Sequence, residues 1–207
     1  MAFSKPFIIY ADLETESLKA NKLLQIAAIT EDNNKFSVYI NPQEKLTDQC
    51  FQITGLYFHD GQLYRNGRLL FSVPIGRALC QFRNWLQSFN KPIHLVFHNA
   101  FSFDMKILVK HYIKQNILFP LCVTGVHDTL PIFRKYIKAT DISGFKLGLL
   151  ADHFKVPLLD AHNAEDDALC LKNICEAFLK DKDLSLEDFL NSYLKSPLYF
   201  IKKQQKN

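Results

Sequence analysis

The chain is poor in the features that would place it outside the compact globular proteins. Glycine contributes 7 of 207 residues, and there is no internal repeat or low-complexity stretch. No apolar run reaches the roughly 18 residues that a helical membrane span requires, which excludes such a span. The segment MAFSKP lacks the long apolar core of a signal peptide. Five cysteines, at 50, 80, 122, 170 and 175, form neither a CxxC pair nor a Cys/His zinc pattern, and their number is odd. A disulfide framework and a structural zinc are thereby set aside, and free thiols in a reducing, intracellular setting are expected. Charge of one sign is also scarce: 25 basic and 21 acidic residues leave +4, too mild to establish a polyanionic partner. What the chain does have is a large apolar content, 48% hydrophobic and 13% aromatic with 18 phenylalanines. That is enough to bury one core and too much for global disorder.

Hydrophobic periodicity organises the chain. Residues 7–14 read as a buried strand, KLLQIAAIT (22–30) as a second and NKFSVYINP (34–42) as a third, with EDNN as the turn between the last two. TDQCFQITGLYFHD (47–60) reads as irregular. LYRNGRLL (63–70) reads as a hairpin, because Asn66-Gly67 suits a two-residue turn with positive φ. From Pro74 the period becomes helical: Ile75, Leu79, Phe82, Leu86 and Phe89 share a face. A strand at 93–98, a helix from Met105 to Lys114 and a strand at 121–128 follow, and Asp128 is a natural N-cap for TLPIFRKYI. Helices are expected over 144–156, 164–180 and 185–194, the last with a Ser185 to Asp188 cap and a frayed basic tail after it. A meander followed by crossovers predicts an α/β chain: a mixed sheet flanked by helices, with its site at the carboxyl ends of strands near a switch in strand order.

The first strand ends in an anomaly. Asp12 and Glu14 are two residues apart, so they share one face of FIIYADLET. Ionised carboxylates side by side repel and resist burial, an arrangement that makes sense if hard divalent cations such as Mg²⁺ or Mn²⁺ neutralise them. A solvated strand end is the plainer explanation of that pair alone. Asp104, in HNAFSFDMKIL, shares a helical face with Leu108 and Tyr112 and looks inward, although an acid at a helix start needs no special explanation either. In AHNAEDDALC, Asp167 leads the apolar row Leu171, Ile174, Phe178, whereas Asp166 leads the more polar Cys170, Asn173, Ala177. Asp167 is therefore expected to face the sheet and Asp166 to face water. His162 precedes this helix and is within reach of the same place. With four acids gathered at a metal site, the remaining surface would carry +8.

The set DLET (12–15), HNAFSFD (98–104) and HNAEDD (162–167) resembles the three exonuclease motifs of the DnaQ-like superfamily, in the subgroup whose third motif is His-x-x-x-x-Asp (DEDDh). The resemblance spans residues 7–179 in motif order. LVFHNAFSFDMKIL, GFKLGLLADHF and AHNAEDDALCLKNIC are similar to the TREX group of 3′ exonucleases. The general run and the YRNGRLL insert resemble the exonuclease-like domain related to the C-terminus of promyelocytic leukaemia protein, a kind of domain that can lose the acids retained here.

This resemblance implies a ribonuclease H-like three-layer fold with a five-stranded mixed sheet, order 3-2-1-4-5 with strand 2 antiparallel. The exonuclease domain would span 1–180 with a 60–71 hairpin insert, and 181–207 would form a C-terminal helix and basic tail. It implies two divalent cations, Mg²⁺ or Mn²⁺, about 3.5–4 Å apart and held by Asp12, Glu14, Asp104 and Asp167, with His162 as general base. Cleavage would run from the 3′ end and release nucleoside 5′-monophosphates. Thr15, Ile53, Gly55, Leu56, Asn99 and Phe103 would contact substrate, Ile53 and Leu56 by packing on the terminal base.

The chain departs from the family at Glu16-Ser17, where Thr15 is usually followed by glycine; Glu16 adds an acid nearby. Asp128 matches a later family acid and is read here as a structural cap. Arg65, Arg68, Lys135, Lys138 and Lys146 are candidate phosphate contacts or ordinary surface charges. Phe101 and Phe103 are candidates for stacking or for the core. The expected partner is nucleic acid, DNA favoured over RNA, with no membrane, and the chain is expected to be a monomer or weak dimer. RNA cleavage, a non-catalytic binding module and a small-molecule phosphoesterase are the alternatives.

Overall fold

The computed structural model describes residues 5–17 and 22–205. The elements run β1 (Phe7–Thr15), β2 (Leu23–Thr30), β3 (Lys35–Ile40), α1 (Asp48–Thr54), β4 (Leu56–His59), β5 (Gln62–Arg65), β6 (Arg68–Leu70), β7 (Ser72–Val73) and α2 (Ile75–Ser88). They continue as β8 (Ile93–Phe97), α3 (Asp104–Lys114), β9 (Val123–Asp128), α4 (Thr129–Tyr136), α5 (Leu147–Phe154), α6 (Ala164–Lys182), α7 (Leu186–Leu190), β10 (Leu194–Lys195) and α8 (Pro197–Gln204).

One mixed sheet has the order β10-β9-β8-β1-β2-β3-β7. Its middle five strands carry the expected order, and β2 is antiparallel to both β1 and β3. The sheet is seven-stranded rather than five-stranded because two-residue strands extend each edge: β7 runs parallel to β3, and β10 runs antiparallel to β9. β1 has antiparallel β2 on one side and parallel β8 on the other, so the direction of the sheet changes there. Both faces of the sheet are covered. Ile9, Ala11 and Leu13 of β1 enter a core with residues of α2, α3 and α8. Ile8 and Tyr10 enter a second core with residues of α4, α5 and α6. This alternation is the period-2 geometry of a strand buried on both faces.

Three expectations are corrected. The stretch 47–60 is regular: Thr47 caps α1 by accepting from the Cys50 amide, Gly55 ends it at φ +71°, and β4 follows. β4 joins the Asn66-Gly67 hairpin in a separate three-stranded sheet, with Asn66 and Gly67 at φ +49° and +81° as a type I′ turn demands. Under it lies a small third core of Leu24, Leu46, Cys50, Leu56 and Leu63. The helix expected over 185–194 stops at Leu190, and α8 begins at Pro197 behind a Ser196 cap. Lys202 to Gln204 therefore belong to a helix that packs on α3, where Gln204 donates to the Lys106 carbonyl at 3.2 Å; residues 206–207 lie outside the described residues.

Gly55 shows how tightly the small sheet is docked. A Cβ there would lie 2.2 Å from Asn66 Oδ1, and the Gly55 carbonyl accepts from the Asn66 amide at 3.0 Å. Gly55→Ala is expected to destabilise the protein by about 1–2 kcal/mol, since alanine resists positive φ and displaces the hairpin turn. Urea unfolding monitored by circular dichroism checks this.

Candidate active site

Three segments deliver acids to the carboxyl end of β1. Asp12 and Glu14 project from the same face of the strand; Asp12 is half-buried and Glu14 is 8% exposed. The pairing with β2 slips between Glu14 and Thr15, a local bulge of the kind that re-aims side chains near sites.

The second segment follows β8. Asn99 adopts φ +70°, and its carbonyl accepts from the amides of Ser102 and Phe103. The Asp128 carboxylate accepts from the amides of Asn99 (2.9 Å), Phe101 (3.0 Å) and Leu130 (3.1 Å). Asp128 thus caps α4 and fixes the loop, in line with its reading as a structural acid. His98 locks the same loop between Thr129 Oγ1 and the Phe145 carbonyl. The result is to place Asp104 in the first turn of α3, 3% exposed, on the buried row with Leu108 and Tyr112.

The third segment opens α6, which packs across β1 and β2. Asn163 caps it by accepting from the Glu165 amide. Asp167 is 8% exposed and heads the buried row Leu171, Ile174, Phe178, whereas Asp166 is half-exposed. His162 sits at φ +64°, uncommon for a residue with a side chain, and its amide donates to Asp167 Oδ2 at 3.1 Å. One potential ligand atom from each of Glu14, His162 and Asp167 lies within 4.8 Å of the others.

No known family profile matches the chain. Among curated proteins, it is 29% identical over 180 residues to a PolC-type DNA polymerase III of Caldanaerobacter subterraneus subsp. tengcongensis, covering 84% of this chain and 11% of the relative. It is 38% identical over 112 residues to the 3′-5′ exonuclease DinG of Staphylococcus epidermidis, covering 51% and 12%. The chain therefore spans only about a ninth of the length of these relatives. Among solved structures, it superposes on E. coli exonuclease I in complex with single-stranded DNA, with a TM-score of 0.69 at 14% identity, covering 86% of this chain and 42% of that one. It also superposes on cell-death related nuclease 4, with a TM-score of 0.63 at 16% identity, covering 87% and 64%. These similarities are consistent with the DnaQ-like superfamily whose motifs the sequence resembles.

The acids of this site are electrostatically frustrated. Burial, then the charges of Asp104, Glu14 and Asp167, push the Asp12 carboxyl well above the usual range. Glu14 is raised to about 8 by burial and by Asp167, with Arg65 opposing. Asp104 rises to about 8, chiefly through burial. Asp167 rises to about 6 through burial, opposed by its bond from the His162 amide. Clustered buried carboxylates beside an imidazole are a hard donor set, and they fit divalent cations such as Mg²⁺ or Mn²⁺.

The expected substrate residues are scattered in character. Ile53 is 49% exposed on α1, and Thr15 ends β1. Leu56 is 1% exposed inside the third core, which leaves it no free surface to offer a base. The close approach at Gly55 is made by Asn66. Asn99 and Phe103 lie in the loop before Asp104, and Phe103 packs against the core. Phe101 packs on Phe200 and under the Lys195 ammonium. Glu16 does not join the cluster: it accepts from the Thr47 amide at 2.9 Å and pairs with Lys22 at 3.0 Å, tying α1 to the end of β1.

Gln25 and Asp160 were not singled out from the sequence. Gln25, opposite Glu14 on β2 and 1% exposed, donates to Asn163 Oδ1 at 3.0 Å and accepts from the Ala164 amide at 3.1 Å. The available signal was a lone amide in the apolar run LLQIAAIT, since a buried polar group needs partners. Asp160 forms a two-pronged pair with Arg65.

Proposed function

We propose that this chain is a divalent-metal-dependent exonuclease that removes nucleotides from the 3′ end of DNA by phosphodiester hydrolysis. The observation that carries the reading is the convergence of Asp12, Glu14, Asp104, Asp167 and His162 at the carboxyl end of β1, where the direction of the sheet changes. The relatives agree with it: one is named a 3′-5′ exonuclease, another a DNA polymerase, and the exonuclease I structures hold DNA oligonucleotides.

Asp12, Glu14, Asp104 and Asp167 are the residues that would hold the cations. When bound, divalent ions supply Lewis acidity to the phosphoryl oxygens and lower the pKa of coordinated water. The chain's own residues do the rest. His162, beside Glu14 and Asp167, accepts the proton of the attacking water. The bond from its amide to Asp167 fixes the base relative to the carboxylates. Asp128 and His98, without touching the reaction, keep Asp104 in place.

The test is digestion of 3′- and 5′-labelled DNA and RNA with Mg²⁺, Mn²⁺ or EDTA. Shortening from the 3′ end of DNA, lost in EDTA, is expected. His162→Ala should slow it by about 10²-fold or more, the scale of a lost general base. Cleavage that persists in EDTA, or proceeds from the 5′ end, overturns the reading; a strong preference for RNA overturns the choice of DNA.

A further inference from the structure

The hairpin β5–β6 reaches across the molecule with one side chain. Arg65, 12% exposed, donates from Nε to the Thr54 carbonyl at 2.9 Å. Its Nη1 and Nη2 grip the two oxygens of Asp160, and Nη2 lies 3.4 Å from the His162 carbonyl. A planar guanidinium is suited to this fork, and a lysine is not. The loop it holds connects α5 to α6. On the opposite flank Gln25 grips Asn163 and the Ala164 amide. His162 lies between the two anchors in a left-handed conformation that the backbone does not favour on its own.

We propose that Arg65 is a positioning residue for the imidazole of His162, which makes the 60–71 hairpin part of the catalytic apparatus rather than a surface addition. This rests on the nuclease reading. The guanidinium holds residues 160–162 from one side as Gln25 holds 163–164 from the other, and the side chain of His162 is thereby aimed at Glu14 and Asp167. Asp160 is the other half of the device. Its carboxylate is half-exposed and does not belong to the cluster of acids on β1, α3 and α6.

The experiment compares wild type with Arg65→Ala, Arg65→Lys, Asp160→Asn and the Arg65→Ala/Asp160→Asn double variant. Two readouts are used: steady-state cleavage of a 3′-labelled DNA with Mn²⁺, and amide hydrogen exchange of the metal-free protein. Each single variant is expected to lower kcat about 10–100-fold, the range for groups that orient a site from behind it, with KM changed less than about 3-fold. Lysine should not rescue, and the double variant should be no worse than the singles, because the two residues act as one unit. The amides of His162 and Asn163 should exchange faster in every variant. A raised KM with kcat intact would make Arg65 a substrate contact instead, and unchanged exchange at 162–163 would also overturn the proposal. If Arg65→Ala unfolds, Asp160→Asn decides the matter, since it removes the fork's partner and leaves the hairpin's own contacts. If wild type cuts no labelled end, the nuclease reading fails, and the exchange rates alone then decide whether Arg65 holds the loop.

Discussion

Asp12→Ala is expected to abolish shortening of 3′-labelled DNA, with a residual rate at least about 10³-fold below wild type. Under the proposed function, Asp12 is one of the four carboxylates that would hold the cations. Burial first, and then the charges of Asp104 on α3, Glu14 on β1 and Asp167 on α6, raise its carboxyl well above the usual range. Stabilisation of transition-state charge by a bound ion is worth several kcal/mol, and about 4 kcal/mol corresponds to 10³ in rate. The control is Asp166→Ala. Asp166 is half-exposed on the first turn of α6 and, unlike Asp167, does not head its buried row, so its loss should leave the rate within a few-fold of wild type. Both rates come from one time course under single-turnover conditions. An Asp12→Ala protein that keeps a tenth of the activity, or an Asp166→Ala protein as inert as Asp12→Ala, would refute this assignment.

The acids were legible because their placement follows from short-range periodicity. Period 2 put Asp12 and Glu14 on one face, and period 3.6 aligned Asp104 with Leu108 and Tyr112 and Asp167 with Leu171, Ile174 and Phe178. The central strand order was legible through the resemblance together with the meander-then-crossover order of elements. Features without a period were not. β7 and β10 are two residues long, too short to show any alternation, and they exist only because an edge of the sheet was available to them. α1 carries Phe51 and Ile53 on exposed positions, so its seven residues lack an apolar stripe, although Thr47 and Gly55 bracket it with recognisable caps. α8 was announced only by Ser196-Pro197, a cap followed by a proline tolerated in a first turn. The site's supporting contacts are the least legible of all. Arg65 and Asp160 are 95 residues apart and Gln25 and Asn163 are 138 apart, and no local rule pairs them. Gly55 shows the same limit: its positive φ was foreseeable at the end of a helix, but that Asn66 fills the space beside it depends on how two separate elements dock.

The same frustrated acids make metal-free stability depend on pH in an unusual direction. Asp104 and Glu14 have folded-state values of about 8 against ordinary values of 3.8 and 4.5, chiefly because burial penalises their charged forms. Between those limits the folded chain binds more protons than the unfolded chain, so stability must fall as pH rises. Asp167, raised to about 6, acts in the same direction at lower pH. His127 opposes them: burial and His94 depress it to about 4, so it favours the folded state as pH rises toward its ordinary 6.5. The useful window is therefore about pH 6.5 to 8, where His127 is neutral in the folded chain and loses its remaining protons in the unfolded one near the lower end, while Asp104 and Glu14 lose theirs in the folded chain across the window. Each carboxyl contributes at most about 1.4 kcal/mol per pH unit there, so the EDTA-treated protein should lose about 2–4 kcal/mol across the window. Guanidinium unfolding at pH 6.5, 7.2 and 8.0 measures it. Asp104→Asn should flatten the slope and stabilise the metal-free protein at pH 8, because it removes a charge that burial disfavours while keeping the shape. Saturating Mn²⁺ should reverse the slope in wild type, since a cation competes with protons for the same oxygens and binds only the folded arrangement. A flat profile in EDTA, or one unaltered by Mn²⁺, would mean that these carboxylates do not form a common site.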